Sequence, residues 1–113
     1  MIKKLKTDYD YKNDTLYLYS NEKYKNSIEY FGILVDITTK DDIKGIEIPN
    51  ASKFFTELLE KNISKNDLMN ITNSYLETRK TKEMNFINFR VESDNISEIN
   101  LPLSVPISWS KLY

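Results

Sequence analysis

The sequence predicts an α+β fold: an antiparallel β-meander covered by one helix and followed by a second β-hairpin unit. Three observations carry this expectation. Apolar residues recur with period two through most of the first half, which sets them on one face of extended strands. The period turns helical after Pro49, and the alternation returns from Met84 to Leu103.

In Thr15-Leu16-Tyr17-Leu18-Tyr19, the two leucines share one strand face and the two tyrosines the other, and Asn13-Asp14 ahead of them suits a turn. A second extended run, Ser27 to Phe31, leads through Gly32 into Ile33-Leu34-Val35-Asp36-Ile37. After the polar turn Thr39-Lys40-Asp41-Asp42 comes Ile43 to Ile48. A four-residue turn sets Val35 opposite Ile46 and Ile33 opposite Ile48, so both apolar rows point to one buried face. Pro49 ends the ladder because it has no N–H to donate.

From Ala51 to about Asn62 the spacing predicts a helix, with Phe54, Phe55, Leu58 and Leu59 on one side and Glu57, Glu60 and Lys61 on the other. Asn50 is the expected N-cap. Ser64-x-x-Asp67 opens a further helical turn to Asn70, and Tyr75 to Arg79 reads as a strand, since the neighbouring Asn, Thr and Ser form helices poorly. The expected core is Leu16, Leu18, Ile33, Val35, Ile46, Ile48, Phe54 and Leu58.

With a three-residue turn at Ser93-Asp94-Asn95, Ile87 faces Leu101, Phe89 faces Ile99, Asn88 faces Asn100 and Arg90 faces Glu98. A shift of 53 residues lays this hairpin on the first, Asp41 on Asp94, Ile46 on Ile99 and Pro49 on Pro102. Ser104 to Trp109 would then stand for the helix after Pro49. A degenerate duplication and a chance match of two alternating hairpins both remain open.

A chain of 113 residues suits one domain, 1–113, in which 1–62 supply the meander and helix and 63–113 a second hairpin unit on the same core. Sixteen basic and seventeen acidic residues nearly cancel, so no overall field draws in nucleic acid or an anionic membrane. With neither Cys nor His, disulfides and the usual zinc ligands are absent, and no cofactor or metal is expected. No signal peptide or membrane span is legible, and a cytoplasmic protein is the expectation.

Chemistry is sparse. Ser52-Lys53 and Ser110-Lys111 are only neighbours along the chain, which gives no nucleophile a facing base. Asp36 and Glu47 are the candidate catalytic residues: the first hairpin sets them diagonally on one face, about 7 Å apart, a spacing that acid–base hydrolysis can use. A solvated strand face is the simpler account of both. Asp8, Asp10 and Asp14 resemble a calcium loop, yet Lys12 and Asn13 stand where oxygen and Gly are wanted, so a polar turn is expected. For nucleic acid the candidates are Lys3, Lys4, Lys6, Arg79, Lys80 and Lys82, with Tyr17, Tyr19 and Tyr24 for stacking. Two glycines, Gly32 and Gly45, are too few for a phosphate loop.

Asp10-x-x-x-Asp14-Thr15-Leu16-Tyr17-Leu18, then Gly32-Ile33-Leu34-Val35-Asp36, then Gly45-Ile46-Glu47-Ile48-Pro49-Asn50-Ala51-Ser52 resemble a family of small prokaryotic proteins, domain of unknown function 2283, over about residues 4–55. The resemblance implies a compact meander ending in a helix, in proteins often encoded beside a toxin-like neighbour, and brings no catalytic residue. The leading expectation is therefore a non-enzymatic protein-interaction module, antitoxin-like or an inhibitor of another protein. Its partner would be a toxin-like or host protein, or a second copy of the chain. A small single-stranded nucleic-acid-binding protein comes next, and a carboxylate-dependent hydrolase third.

Overall fold

A computed structural model describes residues 2–94 and 98–106. Its strands are β1 (Ile2–Asp10), β2 (Thr15–Tyr19), β3 (Tyr24–Tyr30), β4 (Ile33–Thr38), β5 (Ile43–Ile48), β6 (Ile71–Lys80), β7 (Met84–Ser93) and β8 (Ile99–Pro106). Two short helices, α1 (Ala51–Leu59) and α2 (Lys65–Met69), lie between β5 and β6. The strands form one antiparallel eight-stranded sheet in the order β3-β4-β5-β2-β1-β6-β7-β8.

This sheet corrects the expected fold class. The molecule is a curled sheet, a half-barrel, and not a meander covered by a helix. Strand twist and bulges at Tyr24/Asn26, Asp36/Ile37 and Ile71/Asn73 bend it. Its far parts consequently approach: Lys80 at the end of β6 reaches Asp42 beyond β4 at 2.8 Å, and the Tyr30 hydroxyl of edge strand β3 donates to the Ser104 carbonyl of edge strand β8 at 3.4 Å. The inner rows of both ends belong to one hydrophobic cluster, so the sheet covers itself and the helices fill only a connection.

The first hairpin has the expected register, Val35 opposite Ile46 and Asp36 opposite Gly45, and Leu16, Leu18, Ile33, Val35, Ile46 and Ile48 are all buried. The helix face differs. Ala51 and Phe55 turn inward, Phe54 and Leu59 are partly buried, and Leu58 is 46% exposed. Nor does Asn50 cap: it is left-handed (φ 49°) and makes no side-chain cap bond. The helix ends at Leu59, short of Asn62, because Glu60 is also left-handed. Ser64 and Asp67 form a full capping box on α2, and Tyr75 to Arg79 lies in a strand as expected.

In the second hairpin the faces are right and the register is two residues off. Phe89 pairs with Leu101, Arg90 with Asn100 and Val91 with Ile99. Ser93 belongs to β7, opposite Ile71, so the connection is longer than three residues. Asn95 lies outside the described residues. β8 runs through Pro106 where the duplication needed a helix from Ser104, and residues 107–113 lie outside the described ones.

Candidate functional site

The outer face of β1 to β5 carries the polar members of the alternating rows. Tyr17 on β2 stands between Asp8 on β1 and Glu47 on β5. Glu47 is diagonal to Asp36 on β4, since Asp36 pairs with Gly45 and Leu34 with Glu47. Ser27 and Tyr24 on β3 complete the row beyond Asp36. Together with Asp10, Asn13 and Thr15 these side chains line an open depression of about 810 Å³.

Asp36 is its best-held group. It is 4% exposed, and each carboxylate oxygen accepts one hydroxyl: Oδ2 from Tyr17 at 2.7 Å and Oδ1 from Ser27 at 2.6 Å. Because Ser27 gives its proton to Asp36, the Tyr24 hydroxyl, 2.8 Å from Ser27 Oγ, is the donor of that bond. A directed chain thus runs from the exposed rim to the buried carboxylate. Burial, the bond to Asp36, and the charges of Asp36 and Glu47 all push the Tyr17 phenol above its usual range.

The structure brings together the two carboxylates singled out from sequence, Asp36 and Glu47, and adds Asp8 and Asp10, which sequence spacing alone did not connect to them. The signal was period two in β1, but it needed the β5-β2-β1 order to be read. The three N-terminal aspartates do not converge. Asp10 accepts the Asn13 amide at 3.1 Å and the Asn13 side chain at 2.7 Å, closing the turn, while Asp14 points to α1. Among the described residues no three carboxylates form a metal-holding group.

The basic candidates are divided. Lys4 and Lys6 are exposed on the outer face of β1, whereas Lys3 is paired with Glu22 and Lys80 with Asp42. The Arg79 guanidinium lies over the Phe86 ring at 5.3 Å, and Lys82 is exposed after β6. Of the stacking tyrosines, Tyr17 and Tyr24 line the acidic depression, and the Lys44 Nζ stands 5.0 Å from the centre of the Tyr19 ring and 6.0 Å from that of Tyr17. Among the described residues no helix is long and apolar enough to cross a membrane.

Residues 6–52 match a family described as a protein of unknown function, DUF2283. A Methanosarcina mazei protein provisionally named a hypoxanthine phosphoribosyltransferase is 35% identical over 88% of this chain and 87% of its own length. An uncharacterized protein of Methanocaldococcus jannaschii is 43% identical over 58% of this chain and 53% of its own. No solved structure matches.

Proposed function

Residues 6–52 carry the pattern of the DUF2283 family, and from that premise we propose that the chain is a non-enzymatic protein-interaction module whose outer depression receives a basic segment of another protein. The observation that carries this reading is the lining: Asp8, Asp10, Asp36 and Glu47 with tyrosine rings and no lysine or arginine. A lysine or arginine side chain would meet carboxylates at its head and lay its stem on Tyr24, the Tyr17 ring already having the Lys44 Nζ 6.0 Å from its centre, an arrangement that ion pairing and cation–π attraction favour. An antitoxin-like role, or inhibition of another protein, is one form of such binding.

The same lining argues against the other readings. A nucleic-acid backbone laid in the depression would bring phosphates to four carboxylates, although Lys4 and Lys6 share the outer face of β1 with Asp8 and Asp10. A phosphoribosyltransferase, the activity in the name of the Methanosarcina mazei relative, must hold an anionic phosphoribosyl donor, and the lining of the depression is acidic, with Lys44 beside it, 6.0 Å from the Tyr17 ring centre. A hydrolase using Asp36 and Glu47 would have to work with both Asp36 oxygens already engaged by hydroxyls.

Titrating the protein with a Lys/Arg-rich peptide and an acidic control, followed by NMR, tests the proposal. The basic peptide should shift Tyr17, Ser27 and Glu47 and weaken steeply between low salt and about 0.15 M. Asp36→Asn with Glu47→Gln should lower affinity about tenfold. Salt-dependent binding of oligonucleotides in its place, or transferase turnover, would overturn it.

A further inference from the structure

We infer that the outer face of β1, β2 and β5 is a self-association surface whose occupant is a second copy of this chain, related to the first by a two-fold axis. The charges on that face are arranged antisymmetrically. Along β1 the outer row reads Lys4, Lys6, Asp8, Asp10, all four exposed. Two cations occupy one half of the strand and two anions the other, over roughly 20 Å at the rise of an extended chain. Lys4, Lys6 and Asp8 make no ion pair among the described residues, and Asp10 accepts from Asn13 within its own turn.

The midpoint of the row is Thr7, which pairs with Leu18 of β2, and Leu18 pairs with Ile46 of β5. A two-fold axis lying across the strands at that level, parallel to the face, reverses each strand and turns the two outer faces toward each other. Lys6 then stands opposite Asp8 of the second copy and Lys4 opposite its Asp10, each contact occurring twice. The neighbouring strands obey the same axis. On β2, Tyr17 and Tyr19 flank Leu18 with their rings 4.7 Å apart, so Tyr17 of one copy meets Tyr19 of the other. On β5, Glu47 is level with Tyr17 and Gly45 with Tyr19, and Lys44 follows, its Nζ 5.0 Å from the Tyr19 ring centre. Glu47 of one copy therefore comes opposite Lys44 of the other.

Charge complementarity selects this occupant. A uniformly charged partner laid along the whole row meets like charge on one half of it, whereas a second copy turned about the axis meets opposite charge on both halves. Tyr17 and Tyr19 at the centre supply the aromatic contact in which interfaces are enriched. With a formal net charge of −1, two chains repel each other little on approach. The outer face of the curl is convex across the strands, so contact is a strip and the dimer weak and salt-sensitive. This inference goes beyond the proposed partner binding but shares Asp8, Asp10 and Glu47 with it. A seated copy covers the depression, and a short basic segment has to displace it.

Sedimentation of the full chain from about 10 μM to about 1 mM, with amide NMR to locate the contact, tests the surface. At low salt the chain should dimerise within that range, with concentration-dependent shifts at Lys6, Asp8, Tyr17 and Tyr19, and in about 0.5 M salt it should stay monomeric. Lys6→Glu or Asp8→Lys alone sets like charges across the axis twice and should weaken the dimer at least about tenfold. Mixed in equal amounts, the two variants should recover it, because every facing pair is then opposite in sign. Lys4→Glu, at the end of the row, weakens the dimer in the same way should either of these fold poorly. A chain monomeric throughout at low salt, a dimer indifferent to salt and to Lys6→Glu, or a mixture that fails to recover would overturn the surface. Self-association is measured with no peptide present, and Lys6→Glu keeps every residue of the depression, so its titration with basic peptide reports on partner binding separately.

Discussion

The carboxylate of Asp14 accepts both the hydroxyl of Ser52, at 2.6 Å, and its backbone amide, at 3.1 Å, across 38 residues of chain. Ser52 is the second residue of α1, whose own preceding residue, Asn50, offers no cap. The helix is therefore capped from the β1–β2 turn, and a negative charge stands at its positive end. Tyr9 adds a third bond to Asp14 at 2.6 Å. Asp14→Ala should destabilise the fold by about 2 to 3 kcal/mol and Ser52→Ala by about 1 kcal/mol. Urea unfolding measures both, and an Asp14→Ala midpoint unchanged from the parent would show that the cap anchors nothing.

Acid should unfold the protein through the same contact. Burial raises the Asp14 carboxyl, but the bonds from Ser52 and Tyr9 outweigh it and hold the group below its ordinary 3.8. Glu22, through its bond from Lys3, is likewise held below 4.5. Both protonate more readily in the unfolded chain, so their stabilisation is complete above these values and drains away as pH falls through and below them. Tyr9 and Tyr17 have the opposite sign: raised above 10.0 chiefly by burial, they make stability fall as pH climbs past that value. Unfolding midpoints across pH should show both losses, Asp14→Asn flattening the acid limb and Tyr17→Phe the alkaline one.

Gly45 is required by close approach. A Cβ there would lie 2.0 Å from the Leu18 carbonyl oxygen and 2.7 Å from the Tyr19 Cα, both backbone atoms of the paired strand. Gly45→Ala should then cost about 3 kcal/mol or more, because β2 and β5 must separate under the Tyr17 side of the depression. A fully stable alanine variant would refute that contact.

The parts of the fold legible in the sequence were those set by local alternation. Leu16, Leu18, Val35 and Ile46 declared their face because one short turn fixed their register. The β7–β8 register escaped for the same physical reason: a slip of two residues leaves Phe89, Leu101 and Ile99 on the same side, so period two cannot detect it. The helix face was lost because Phe54, Phe55, Leu58 and Leu59 span too wide an arc to choose between. A distant bond, Ser52 to Asp14, fixes how α1 is seated. Asp36 and Glu47 met where one hairpin placed them, whereas Asp8 joined them only through the non-local β5-β2-β1 order.

Phe31 is 87% exposed and left-handed (φ 49°) in a two-residue turn with Gly32 (φ 84°). That turn type prefers Asn-Gly, and an aromatic there bears about 1 to 2 kcal/mol of backbone strain. The edge-on contact of Phe31 with Tyr30, ring centroids 4.7 Å apart, returns about 0.5 kcal/mol at so exposed a place. Phe31→Asn should thus raise stability by about 0.5 to 1 kcal/mol. A lowered urea midpoint would mean the ring contact outweighs the strain.

The second hairpin separates packing from charge. Phe89 is fully buried, paired with Leu76 on one side and Leu101 on the other, so truncation to alanine should cost about 3 to 5 kcal/mol in lost contact and cavity. Arg90 points outward, 2.9 Å from Glu77, 3.5 Å from Glu98 and stacked 4.7 Å from the centre of the Tyr75 ring. Its side chain is 28% exposed, so each ion pair contributes about 0 to 1 kcal/mol and the stacking about as much. Arg90→Ala should cost about 1 to 2 kcal/mol, well below Phe89→Ala, and should lose most of its effect in high salt, whereas the Phe89 loss should not. The register itself is read from cross-strand NOEs. Close contacts of Phe89 with Leu101 and of Ile87 with Leu103 are expected. Phe89 facing Ile99, or an Arg90 variant as damaged as the Phe89 one, would show that charge and not packing sets this edge of the sheet.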